Sequence, residues 1–141
     1  MNLYAESSAI LAWLLDETAA PEVLRHLSAA QVVIASDLTL IECDRVLLRA
    51  AALGELTEAD AADRRAHLVS VASHWQVMRM ADEVVDRARQ PFPAEPIRTL
   101  DAIHLATAIT ARAAIAGLVL LSLDDRVRAS GKKLGFEVLP T

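Results

Sequence analysis

Short apolar runs in this chain alternate with longer stretches whose apolar residues recur at helical spacing, and that alternation restricts the fold more than any other feature. Leu3-Tyr4-Ala5 precedes a pattern carrying Ile10, Leu11, Leu14 and Leu15, and Val32-Val33-Ile34-Ala35 precedes one carrying Leu38, Ile41, Val46 and Leu47. Residues 75–78 then read as a strand, 100–116 as a helix, 118–121 as a strand, 125–133 as a helix and 136–139 as a closing strand. Strands separated by helices require crossover connections. The expected fold is therefore a three-layer α/β/α sandwich around a central, mostly parallel sheet, with residues 1–141 forming a single domain. Ser36 or Asp37 and then Thr57 read as helix N-caps, and Gly54 and Gly117 as helix stops. The proline-rich run Pro91-Phe92-Pro93-Ala94-Glu95-Pro96 reads as a loop or flap ahead of the next helix.

On that scaffold four acids stand out, because Glu6, Glu42, Asp101 and Asp124 lie inside or beside apolar segments. An unpaired buried carboxylate costs several kcal/mol as an order of magnitude, so such a group needs a partner. Glu6 and Asp124 follow two separate strands, at the carboxyl edge where parallel sheets bind ligands. Asp101 opens a nearly uncharged helix, and Glu42 sits midway between Leu38 and Val46 on an apolar helix stripe. Taken singly, each acid also has a plain structural reading. Asp101 would complement a helix dipole, Glu42 would pair with Arg45 or Arg49, Asp124 or Asp125 would cap a helix, and Glu6 would be a solvated first-turn acid. The four together, far apart in sequence, point to one or two shared divalent cations.

Composition narrows the setting. A net charge of −5 provides no broad basic surface to attract nucleic acid, although 12 of the 14 basic residues are Arg, the side chain suited to bidentate phosphate contacts. The single cysteine, Cys43, forms no internal disulfide and no zinc cluster, and reads as a small core residue in a reducing compartment. With no basic segment followed by a long apolar one at the start, a cytoplasmic location without membrane attachment is expected. His104 reads as a packed, hydrogen-bonded residue, and Trp13 as core or interface. Arg64-Arg65 reads as a solvated helix face.

Four segments carry a resemblance. They are Leu3-Tyr4-Ala5-Glu6-Ser7-Ser8-Ala9; Leu40-Ile41-Glu42; the most specific, Arg98-Thr99-Leu100-Asp101-Ala102-Ile103-His104-Leu105-Ala106-Thr107-Ala108; and Leu121-Ser122-Leu123-Asp124-Asp125-Arg126. In this order and spacing the chain resembles the PIN-domain family, and within it the VapC-like toxins of type II toxin–antitoxin pairs. The resemblance implies a Mg²⁺- or Mn²⁺-dependent endoribonuclease that hydrolyses RNA phosphodiester bonds with metal-activated water. It implies Glu6 and Asp101 as the direct metal ligands, Glu42 as a ligand or water-mediated partner, and Asp124 as a more distant or second-metal acid. Ser8 and Ser122 would orient carboxylates or water, Arg98 would contact RNA phosphate or a partner, and Asp37 and Asp125 would be caps. A VapB-like antitoxin is the implied protein partner, its apolar helix docking between the early helices, and a homodimer is the implied assembly. The family usually opens its motif with Asp, where this chain has Glu6. The added methylene moves the carboxylate outward, so the alternative is a catalytically weakened PIN-like module acting through protein or RNA binding.

Two other classes fail on the residues themselves. A phosphoaspartate enzyme of the haloacid dehalogenase type needs an Asp nucleophile after its first strand, and Glu6-Ser7-Ser8 offers none. A receiver domain needs a phosphorylatable Asp ending its middle strand, which Trp75-Gln76-Val77-Met78-Arg79 lacks.

Overall fold

The computed structural model describes all residues, 1–141, and contains five strands and seven helices. In chain order these are β1 (Asn2–Ala5), α1 (Ser7–Leu14), α2 (Ala20–Ala29), β2 (Val32–Ser36), α3 (Asp37–Ala52) and α4 (Glu58–Ala72). They continue with β3 (Gln76–Met78), α5 (Asp82–Ala88), α6 (Thr99–Ala114), β4 (Leu118–Leu121), α7 (Asp125–Lys133) and β5 (Val138–Leu139). The strands form one sheet in the order β3-β2-β1-β4-β5, and every pairing is parallel.

Side-chain alternation along these strands divides the interior into two cores, one on each face of the sheet. Leu3, Val33, Val119 and Leu121 pack with Ile10, Leu14, Cys43, Leu47 and Leu68 under α1 to α4. Tyr4, Ile34, Leu118 and Leu120 point the other way, against Val84, Leu105, Ala108, Val127 and Phe136 under α5 to α7. The result is the three-layer α/β/α sandwich, buried on both faces as parallel sheets require. At Gly131, α7 approaches the sheet so closely that a Cβ would lie 2.5 Å from Leu120 Cδ2. No helix is long and apolar enough to cross a membrane.

Most boundaries fall where local chemistry places them. Thr57 Oγ1 accepts the Asp60 N–H at 3.0 Å, and Gly54 and Gly117 stop helices at φ of 72° and 69°. Ser36, not Asp37, caps α3, its hydroxyl accepting the Leu38 N–H at 3.0 Å. The closing strand is shorter than 136–139, because the Phe136 N–H still bonds the Gly131 carbonyl at 2.9 Å in the last turn of α7. The sheet reverses its order of growth between β1 and β4, so the crevice beyond their carboxyl ends is the topological switch point.

Candidate active site

Glu6 follows β1 directly, with its N–H bonded to the Leu121 carbonyl of β4 at 3.0 Å. The side chain is 5% exposed, and its Oε2 accepts hydrogen bonds from Ser122 Oγ at 2.7 Å and from Ser8 Oγ. Ser8 Oγ also accepts the Leu123 N–H at 2.8 Å and the Asp124 N–H at 3.1 Å, so it links the start of α1 to the turn after β4. The longer acid is thus seated by two hydroxyls. Ser8 and Ser122 also lie against each other, Oγ to Oγ at 3.3 Å.

Asp124 caps α7, its Oδ1 accepting the Arg126 and Val127 N–H groups at 2.9 and 3.0 Å. The capping reading therefore holds for Asp124, whereas Asp125 is an exposed first-turn residue and not the cap. The same Asp124 also lines a cleft with Glu6, Glu42 and Asp101. Asp101 lies in the first turn of α6, buried to 8% exposure, with Oδ2 3.3 Å from Arg98 Nε. Arg98 Nη2 stands 3.7 Å from Asp124 Oδ2, so one guanidinium spans two of the acids.

Glu42 pairs with neither Arg45 nor Arg49. Its Oε1 accepts from His104 Nε2 at 2.6 Å and from Ser7 Oγ at 2.8 Å, across α3, α6 and α1. Burial works against its charge, but the His104 and Ser7 hydrogen bonds and the attraction of the imidazole outweigh it and hold the carboxyl below its ordinary range. His104 is buried as expected, yet it reaches the site as well, with Nε2 4.0 Å from Glu6 Oε1 and Nδ1 2.9 Å from Tyr4 Oη. Burial drives the Tyr4 phenol well above its usual value, so it remains an O–H donor. The sequence marks neither Ser7 nor Tyr4 for the site, and it reads His104 first as a packed residue. The i+3 spacing of His104 from Asp101 was the one available signal.

Glu6, Glu42 and Asp101 each have one oxygen in a side-chain hydrogen bond, whereas both oxygens of Asp124 are engaged, Oδ1 as the cap and Oδ2 toward Arg98. Glu6 Oε1, Glu42 Oε2 and Asp101 Oδ1 accept no protein hydrogen bond, and none is sealed from the cleft. The four carboxylates bound a cleft of about 390 Å³, together with Ser7, Ser8, Leu11, Arg98, Thr99 and Leu100. They do not close into a cage, and no three of the His, Cys, Asp and Glu side chains are drawn close enough together to hold an ion. Such a cage is not required for magnesium, which usually keeps several waters and binds through one or two carboxylates. A hard, all-oxygen donor set with open lone pairs fits Mg²⁺ or Mn²⁺ and not a soft metal.

The PIN domain family model matches residues 3–133. The chain belongs to the PIN-domain family. Ribonuclease VapC46 of Mycobacterium tuberculosis (strain ATCC 25618 / H37Rv) is 36% identical over 137 residues, covering 97% of this chain and 95% of that protein. Among solved structures, the PIN fold here is similar to PAE2754 from Pyrobaculum aerophilum, at TM-score 0.62 and 23% identity over 99% of this chain and 84% of that one. A toxin–antitoxin complex from Klebsiella pneumoniae matches at TM-score 0.63 and 19% identity over 99% and 97%. The sarcin–ricin-loop-cleaving toxin VapC20 of Mycobacterium tuberculosis matches at 0.64 and 14% over 95% of each chain. In this PIN domain the four acids of the resemblance line one cleft at the switch point without closing on a common centre.

Proposed function

We propose that this PIN domain is a VapC-type toxin, an endoribonuclease that uses Mg²⁺ or Mn²⁺ bound through Glu6 and Asp101, with Glu42 as a further or water-mediated partner and Asp124 as a second-metal or more distant acid. The observation that carries the reading is the set of four carboxylates, from four separate segments, that line one cleft, two of them against a single guanidinium. When bound, a divalent ion supplies neutralisation of the scissile phosphate and a water of lowered pKa. The chain's own residues do the rest. Ser8 and Ser122 hold Glu6 by Oε2 and leave Oε1 without a hydrogen bond, the first turn of α6 carries Asp101, and the α7 cap fixes Asp124. Arg98, 63% exposed at the mouth, is placed to meet an RNA phosphate once it leaves the aspartates. The products would carry 5′-phosphate and 3′-hydroxyl ends.

A VapB-like antitoxin and a homodimer are the proposed partners, in the cytoplasm, with the chain acting as a single domain. The antitoxin part is supported by an apolar groove between α3 and α4, lined by Leu47, Leu48, Ala61 and Val69 with Arg65 at its edge. The test is cleavage of a broad RNA panel by purified protein with Mn²⁺ or Mg²⁺, with and without EDTA. Metal-dependent cleavage that the Asp101→Asn variant loses supports the nuclease. An inactive wild type that still binds antitoxin would instead identify the weakened binding module.

A further inference from the structure

Glu42 is the only one of the four acids held from inside the protein by an aromatic chain of donors. Its carboxylate accepts and does not donate, so the 2.6 Å contact places the ring proton of His104 on Nε2. In the neutral ring Nδ1 is then the acceptor, and the atom facing it, at 2.9 Å, is the Tyr4 hydroxyl. Ser7 Oγ closes the group, donating to the same Glu42 oxygen and standing 3.0 Å from Nε2. These residues come from β1, α1, α3 and α6, and Tyr4 and His104 are almost wholly buried. Packing therefore fixes their rotamers, whereas Glu42 stands at the cleft wall with 25% of its side chain exposed.

We infer that His104, with its tautomer set by Tyr4, is a positioning residue that pins Glu42 Oε1 so that Oε2 faces the divalent ion. An imidazole N–H suits this task better than a lysine or arginine. It fixes the carboxylate through a directional bond without placing a permanent cation beside the ion's seat. Arg98 does the opposite at the far wall, where its charge lies against Asp101 and Asp124. Glu42 is thus oriented by a hydrogen bond from a buried ring, whereas Asp101 and Asp124 face an exposed guanidinium.

This inference rests on Glu42 serving the ion, as proposed above, and the experiment separates the two. Mn²⁺ affinity is measured by calorimetry on purified, RNA-free protein, with circular dichroism to verify folding, for Glu42→Gln, His104→Leu, His104→Gln, Tyr4→Phe and the His104→Leu/Glu42→Gln double variant. Losing an outer partner of a metal ligand weakens affinity by roughly 10- to 100-fold, and His104→Leu is expected in that range. His104→Gln, whose amide restores a donor, should recover most of the loss, and the double variant should bind no more weakly than Glu42→Gln alone. Tyr4→Phe removes only a hydroxyl and should weaken Mn²⁺ several-fold, so it carries the test even if His104→Leu does not fold. If His104→Leu is folded and binds normally, or is unfolded while Tyr4→Phe binds normally, the inference is overturned. Unchanged affinity in Glu42→Gln would overturn the site reading itself.

Discussion

Arg98 Nε lies 3.3 Å from Asp101 Oδ2, so the acid at the head of α6 is already paired with a cation from its own chain. The same guanidinium stands 3.7 Å from Asp124, and no other basic side chain lines the cleft. A divalent ion entering beside Asp101 competes with that charge. Because the arginine is largely exposed, the pair contributes about 0–1 kcal/mol, equivalent to at most roughly a fivefold change in affinity. Arg98→Ala is expected to tighten Mn²⁺ binding within that factor in calorimetry, and to weaken RNA binding with a shallower salt dependence in anisotropy titrations. Unchanged values in both measurements would exclude Arg98 from the site.

Asp101→Asn keeps the shape of the side chain and removes its charge. The helix-dipole contribution lost is about 0.3–1 kcal/mol, so the thermal midpoint should fall only slightly. Cleavage, by contrast, should fall at least about 100-fold, matching or exceeding the cost of losing an outer partner of a metal ligand. Full activity in the folded variant would refute the assignment.

Ser122→Ala removes one of the two hydroxyls that seat Glu6 and leaves Ser8. The lost hydrogen bond to a charged group is worth roughly 1.5–3 kcal/mol of stability at a buried position. Denaturant unfolding should detect that loss, and Mn²⁺ affinity should weaken in parallel. A variant as stable and as tightly binding as wild type would show that Glu6 does not depend on this contact.

Burial, reinforced by Glu42 and Asp44, pushes the Cys43 thiol up to about 12. It should not react with Ellman's reagent at pH 8 until the protein is unfolded. The sign of the pH effect follows from the raised folded value. The thiol's contribution is fully present below the unfolded pKa of roughly 8.5 and declines as the pH rises toward about 12. Cys43→Ala should flatten that alkaline decline in denaturant titrations, and an unchanged slope would mean other groups govern it.

Much of this architecture could be read along the chain because its signals are local. The four-residue run Leu118–Leu121 and the helix Asp125–Lys133 have the anticipated limits, since a continuous apolar run and an acid-headed amphipathic pattern each declare themselves within a few residues. Helix α5 spans only seven residues, too few for a period to show, and α2 begins through Pro21 with no side-chain cap. Both were missed for those reasons.

The sequence by itself determined the alternation of strands and helices, the identity and order of the four acids, and the membership that their motifs implied. Only the tertiary structure decided which groups those acids meet. Glu42 has arginines at helical spacing yet bonds His104, 62 positions away, and the Tyr4 contact to the same ring spans 100 positions. Periodicity records which face of an element is buried, whereas the parallel crossovers determine which distant residues share the crevice between β1 and β4.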